Sequence, residues 1–342
     1  MSSKIKEKNI LITGITGMVG SHLLDYILDH TTWEVYGLMR WRSPITNISH
    51  QIENINGKDR IKLIEGDLLD QTSLLNCLQV SNPDIIFHLA AQSFPTASFV
   101  SPTVTYDVNT LGTSRLLDSL RILGLQPLVH VCSSSEVYGR TPQEFLPIKE
   151  STPFHPASPY SISKIGTDLV SRFHFEAYGT RTLITRMFTH TGPRRGDVFA
   201  ESSFAKQIAM IEHELVPPIV HTGNLDSLRT WSDVRDAVRA YFKLVTINPI
   251  PGEIYNIGGN TVKTIKEVLN FLIDQSPKKD VIKVQIDPRR VRPIDADLQV
   301  PDATKFIQHT GWKPMIPFEK TMLDLLNYWR DKVLKDPQIA NR

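Results

Sequence analysis

The sequence predicts an α/β protein built on a doubly wound parallel sheet, followed by a smaller mixed α/β C-terminal lobe that holds a substrate. Three observations predict this. A short apolar run, Asn9–Thr13, leads into a glycine-spaced turn and then a segment of helical apolar periodicity. Apolar strands and helical segments then alternate through the first half of the chain, the pattern of parallel βαβ units. Beyond them the alternation gives way to proline-rich turns and scattered arginines.

A chain of 342 residues is long enough for a sizeable core and suggests two lobes. With 41% hydrophobic residues, 22% charged residues and a formal charge of +2, it has the balance of an ordinary soluble protein and nothing that asks for nucleic acid. No apolar run approaches the roughly 18 residues of a membrane span, and the apolar run after the polar residues 1–9 is too short for a signal peptide. A cytoplasmic location is the default expectation. Cys77 and Cys132 are too few for a disulfide framework and lack metal-ligand spacing, so no metal is expected. Cys132 reads as a small buried hydrophobe.

Taken in order, the strand 9–13 ends in Gly14, Gly17 and Gly20, with Thr16, Met18 and Val19 between them, and residues 21–29 continue as a helix. Such a turn aims backbone N–H groups and a helix N-terminus at one spot, which suits the pyrophosphate of a dinucleotide. The second strand, Glu34–Met39, ends at Arg40 and Arg42 with no acid beside them. An acid there would accept a hydrogen bond from a free ribose hydroxyl, whereas a cation accommodates the extra phosphate of NADP. NADP is therefore favoured over NAD. Residues 41–59 form a polar connection, and 60–65 are the third strand. Asp67, before Leu68, either accepts a hydrogen bond from an adenine amino group or caps the next helix. Residues 84–91 are an apolar strand of buried type, where Leu89 and the small Ala90 and Ala91 let a cofactor lie against the backbone. His88 reads as a satisfied core or strand-end histidine.

A helix is predicted over 107–123 and a strand over 127–132, opening into Ser133, Ser134, Ser135, Glu136 and Tyr138. Hydroxyls and a carboxylate at the C-terminal end of such a strand sit where open α/β sheets bind ligands. Tyr160 and Lys164, four residues apart at the start of a predicted helix, share a face. A lysine cation there would favour the phenolate of Tyr160 and let it act as a base. Further strands are predicted over 181–188 and 253–257. Between and after them lie Arg194, Arg195, Lys206, Arg229, Arg289, Arg290 and Arg292, whose side chains would clamp a diphosphate if they converged.

Together the turn Gly14 to Gly20, Gly66-Asp67-Leu68, His88 to Ala91, the stretch Ser133 to Tyr138 and the Tyr160/Lys164 pair resemble the extended short-chain dehydrogenase/reductases. Residues 189–196, 223–229, 287–293 and 311–314 are similar to those of the GDP-mannose 4,6-dehydratases and the related GDP-manno-heptose 4,6-dehydratases. The resemblance implies a Rossmann NADP-binding domain over 1–188, with 230–258 returning to it, and a GDP-sugar lobe formed by 189–229 and 259–335. It implies Ser134, Glu136, Tyr160 and Lys164 as catalytic residues. Cofactor contacts then fall on Gly14, Thr16, Gly17, Met18, Val19, Gly20, Arg40, Asp67, Leu68, Leu89, Ala90, Ala91, Tyr160 and Lys164. Substrate contacts fall on Ser93, Thr189, Lys206, Arg229 and Arg292. Ser134 stands where mannose dehydratases usually have threonine, Thr189 where many have asparagine, and Thr191 where they have glutamate. These departures bear on the sugar more than on the chemistry. The activity implied is dehydration of a GDP-sugar, mannose or a manno-heptose, by internal hydride transfer through NADP. An NADPH-dependent reductase of the 4-keto-6-deoxy sugar and a non-catalytic NADP-binding sensor or scaffold are the alternatives. Family members commonly assemble as homodimers or homotetramers, and 41–50 would then reach a neighbouring cofactor.

Overall fold

The computed structural model describes residues 7–57, 60–294 and 296–338. Most of the polar N-terminal stretch, Lys58 and Asp59 of the connection after the second strand, and Asp295 of the expected substrate lobe lie outside the described residues. In chain order the strands are β1 (Asn9–Thr13), β2 (Glu34–Met39), β3 (Ile61–Glu65), β4 (Ile85–His88), β5 (Leu128–Cys132), β6 (Thr182–Met187), β7 (His190–Thr191), β8 (Ile219–Thr222), β9 (Leu228–Asp233), β10 (Ile254–Ile257), β11 (Thr261–Thr264), β12 (Lys283–Ile286) and β13 (Leu298–Gln299). The helices are α1 (Met18–His30), α2 (Gln71–Ser81), α3 (Pro95–Val100), α4 (Pro102–Tyr106), α5 (Gly112–Leu123), α6 (Pro159–Tyr178), α7 (Ala200–Glu212), α8 (Val234–Thr246), α9 (Ile265–Asp274), α10 (Thr304–Thr310) and α11 (Phe318–Lys335).

Seven parallel strands make the main sheet in the order β3-β2-β1-β4-β5-β6-β10. Its central strands are continuous apolar runs because helices cover both faces: Ile10, Leu11, Ile12, Ile86 and Phe87 are fully buried. The strand order reverses between β1 and β4, and in such sheets the crevice beyond the strand ends at this point is where ligands bind. β10 joins this sheet from late in the chain, and α8 brings Ala237, Val238 and Tyr241 into the same core as Ile10, Leu24 and Phe87.

The remaining strands form a four-stranded sheet, with β11, β13 and β7 all on β9, and a two-stranded sheet of β12 on β8. A second core of Phe204, Ile208, Val268, Leu272, Met322, Leu325 and Trp329 joins α7, α9 and α11 beneath them. The sequence reading left this region irregular because its strands are two to six residues long and its helices bury their apolar faces against one another. The helix predicted over 107–123 is also longer: α4 runs into a π-helical turn, Asp107–Leu111, and only then into α5. The polar connection after β2 carries a 3-10 segment, Thr46–Asn54, anchored by the buried Ile48. Among the described residues no helix is long and apolar enough to cross a membrane.

Candidate active site

β1 delivers the chain to Gly14, whose φ of +76° is open to glycine at little strain. A Cβ on Gly14 would lie 2.9 Å from the Ala90 backbone, and one on Gly20 would lie 2.2 Å from the Gly14 carbonyl. The turn is therefore pressed both against the end of β4 and against α1. Gly17 N–H donates to Gly14 O at 3.0 Å, and α1 begins at the next residue, so its first N–H groups face the crevice. Thr13 Oγ1 accepts from the N–H groups of Leu89 and Ala90 at 3.2 and 3.1 Å. His88 is satisfied on both ring nitrogens, by Thr13 at 2.9 Å and Thr113 at 3.0 Å, as a buried structural histidine should be. Burial first, and the Lys164 charge second, hold its imidazole down at about 3.

A cavity of about 1140 Å³ runs from this turn to the second lobe. All the residues expected to hold a cofactor line it: Gly14, Thr16, Gly17, Met18, Val19, Gly20, Arg40, Asp67, Leu68, Leu89, Ala90, Ala91, Tyr160 and Lys164. Arg40, Arg42 and Asp67 also border a shallower pocket of about 570 Å³ beside it. Asp67 is not the cap of the next helix. Asp70 takes that position and accepts from the N–H groups of Thr72 and Ser73, while Asp67 Oδ1 accepts from Leu69 N–H at 3.0 Å.

At the far end of β5, Ser134 caps the 3-10 turn Ser135–Tyr138, its Oγ accepting from Glu136 N–H at 3.2 Å. α6 starts opposite. Ser158 caps it and Pro159 occupies its first position, which places Tyr160 and Lys164 on the cavity wall. Burial raises the Tyr160 phenol well above its ordinary value, while a hydrogen bond with Ser134 and the Arg195 guanidinium act in the opposite sense. Lys164 Nζ donates instead to the Cys132 carbonyl at 2.7 Å, and burial lowers its ammonium. The Lys164 ammonium is thus engaged by a backbone carbonyl, and the Arg195 guanidinium also bears on the Tyr160 phenol. Cys132 is only half-buried, lines the cavity and places its Sγ 3.5 Å from the Tyr241 hydroxyl.

Arg194 and Arg195 both line the cavity, and each is held by a different acid. Arg194 adopts a left-handed φ of +68° and forms an ion pair with Asp25 of α1 at 2.7 Å. Arg195 Nε donates to Glu201 at 3.1 Å, and its guanidinium lies 3.4 Å from the centre of the Phe199 ring. Phe199 meets Phe94 edge to face at 6.1 Å across the cavity. His190 lines the same wall, and burial with the nearby Arg195 charge holds it down at about 4, a neutral imidazole. The sequence reading assigned no role to His190, Phe94, Phe199 or Glu201. The arginine pair itself was the available signal, but it does not say which acid holds which arginine.

The second lobe contributes Thr189, Arg229 and Arg292 to the cavity, with Ser93 from the loop after β4. Arg229 NH1 lies 3.4 Å from Glu136 Oε1. Lys206 does not line the cavity: its ammonium is drawn to Asp197 at 2.8 Å and sits over Trp329. Arg289 pairs with Asp287, which leaves its side chain largely exposed at the cavity rim.

A buried network holds the Glu136 turn against α6. Arg186 of β6 donates two hydrogen bonds to Asp168 of α6 at 2.8 and 3.2 Å and a third to the Tyr138 hydroxyl at 2.8 Å. The Tyr138 hydroxyl donates to Asn256 at 2.8 Å, and burial pushes it up to about 12. Asp168 is fully buried, so Arg186→Met would strand its charge. The variant should lose about 3–5 kcal/mol of stability in urea unfolding. A loss below about 1 kcal/mol would show that the network does not hold the turn.

The model of the GDP-mannose 4,6 dehydratase family matches residues 11–325. GDP-mannose 4,6 dehydratase 1 of Arabidopsis thaliana is 34% identical, over 98% of this chain and 95% of its own. GDP-6-deoxy-D-mannose reductase of Pseudomonas aeruginosa is 29% identical, over 96% of this chain and 99% of its own. Among solved structures, RMD from Pseudomonas aeruginosa complexed with NADPH superposes with a TM-score of 0.79 at 28% identity, covering 95% of this chain and all of that one.

Proposed function

Because the chain belongs to the GDP-mannose 4,6-dehydratase family, we propose that it is an NADP-dependent hydro-lyase converting GDP-mannose to GDP-4-keto-6-deoxy-mannose. The observation that carries this reading is the meeting of Ser134, Glu136 and Tyr160 at one end of a cavity whose other end is the glycine turn. At about 1140 Å³ the cavity exceeds the roughly 300–1,000 Å³ of a single small-molecule site, which leaves room for a dinucleotide and a nucleotide-sugar.

The residues fit NADP. The turn has no room for a Cβ at Gly14 or Gly20, and the start of α1 offers N–H groups to a pyrophosphate. Arg40 at the end of β2 suits the additional phosphate. When bound, NADP supplies the oxidant that turns C4 of the sugar into a ketone and the reductant that completes C6. Tyr160 removes the proton of the 4-hydroxyl, and the hydroxyl of Ser134, which lines the same end of the cavity, turns to donate to the C4 oxygen. The ketone acidifies the C5 proton, which Glu136 accepts. Glu136 then returns a proton to the C6 hydroxyl as the C6–O bond breaks, and water leaves. A solvent proton then returns to C5 through Glu136, and Tyr160 releases the 4-hydroxyl proton to solvent, so the net change is loss of one water.

In this reading 1–188 with 230–258 form the NADP domain, while 189–229 and 259–335 bind the GDP-sugar. Support comes from the strand β10, which adds to the main sheet, and from the separate core under α7, α9 and α11. The enzyme works in the cytoplasm as a homo-oligomer. Ile162, Leu169 and Phe173 form an exposed apolar stripe on α6, beside the exposed Val104 and Leu111, and a second copy would bury it. A molar mass of one chain in solution would refute that assembly.

Similarity to a reductase keeps one second reading in view, that of a 4-keto sugar reductase. Glu136 favours dehydration over it, since carbonyl reduction at C4 needs no base at C5. Purified protein incubated with GDP-mannose, and in parallel with GDP-manno-heptose, should form a 4-keto product with no net consumption of NADPH. Activity confined to a supplied 4-keto sugar, with one NADPH oxidised per turnover, would overturn the dehydratase reading. The better substrate of the parallel pair identifies the sugar.

A further inference from the structure

The pairing of Arg229 with Glu136 crosses the cavity from one lobe to the other. Glu136 sits on the turn after β5, and Arg229 on β9. Their atoms are 3.4 Å apart, with the side chains only 12% and 15% exposed, so solvent does little to screen the interaction. On Arg229's side the cavity is cationic, lined also by Arg289, Arg290 and Arg292. Arg290 is already steadied by the Ser203 hydroxyl at 3.1 Å. A substrate diphosphate would therefore settle against Arg229.

Both partners are compromised while they hold each other. The carboxylate oxygen that Arg229 engages at 3.4 Å is taken up by that contact and is not open to a proton from C5. A guanidinium engaged by a carboxylate offers fewer of its N–H donors to phosphate. A diphosphate presents more charge and more acceptor oxygens than one carboxylate, and it matches the planar fork of arginine. We propose that Arg229 passes from Glu136 to the substrate's diphosphate on binding, so that the base for C5 is unmasked only when a nucleotide is seated. This rests on the dehydratase reading above. Arg229 then acts as a positioning residue for the chemistry as well as a phosphate ligand, and each role excludes the other in time.

The consequence is competition between Glu136 and nucleotide for Arg229, measurable without turnover. GDP alone serves as the probe, with calorimetric binding to the NADP-supplemented enzyme and to Glu136→Gln, Arg229→Gln and the double variant. Glu136→Gln should bind GDP about threefold to tenfold more tightly, because a competitor has been removed. In the Arg229→Gln background the same change should alter affinity by less than about twofold. A gain that persists there would mean simple charge repulsion between Glu136 and GDP, and would overturn the exchange. No gain in the single variant would overturn it equally. Should Arg229→Gln fail to fold, Arg229→Lys keeps the charge without the fork, and the gain should shrink there relative to the native background. Failure of the native enzyme to bind GDP would instead refute the nucleotide-sugar reading itself.

Discussion

Tyr160→Phe should lower kcat about 10³-fold, the order expected for removing a positioned acid–base group, while NADP and GDP affinity change little. The substitution deletes one hydroxyl and keeps the ring in a site where the residue is only 8% exposed, so packing is preserved. Arg195 retains its ion pair with Glu201 and its contact with Phe199, so no charge is orphaned. Ser134 loses one hydrogen-bond partner but still caps its turn. Turnover is measured with saturating sugar nucleotide, and cofactor retention by absorbance of the purified variant. A loss of less than about tenfold would remove Tyr160 from its place as the base for the 4-hydroxyl.

Glu136→Gln should lower product formation by about 10²–10⁴-fold through a different step. The amide keeps the shape of the side chain but cannot take a proton from C5. Exchange of the C5 hydrogen with deuterated solvent should cease. The Tyr160 half of the reaction needs nothing from Glu136, so the absorbance of reduced nicotinamide should rise on mixing and persist. Thus the two variants fail differently: Tyr160→Phe shows neither reduced cofactor nor exchange, whereas Glu136→Gln shows the first without the second. Continued C5 exchange in Glu136→Gln would contradict its role.

The cofactor side of the site was legible because its signals are local. The predicted limits of β1 and β2 match those observed, since apolar runs bounded by glycine or charge carry their own boundaries. Pro159 and the four-residue spacing marked the start of α6 and the face shared by Tyr160 and Lys164. The second lobe was opaque for a physical reason. β9 receives β7, β11 and β13, the last being a two-residue strand aligned with it from far along the chain, and no local pattern announces such a register.

Partner choice among charged groups was equally hidden. Spacing placed Lys164 beside Tyr160 but could not show that its ammonium turns to the Cys132 carbonyl. Likewise Lys206 carries the residue type expected of a phosphate ligand, yet Asp197 claims it. Arg194 takes a left-handed backbone and pairs with an acid in α1 while Arg195 pairs with Glu201, a division that no motif around them announces. Sequence thus identified which residue types gather at the site, while tertiary geometry decided which cation faces which acid.

The most direct measurement follows an isotope. GDP-mannose carrying deuterium at C4 is converted by the enzyme in ordinary water, and the product is examined by NMR. Internal redox dehydration requires the deuterium to appear at C6 of the 4-keto-6-deoxy product, with protium from solvent at C5. Deuterium retained at C4, or absent from C6 while product forms, would contradict the account.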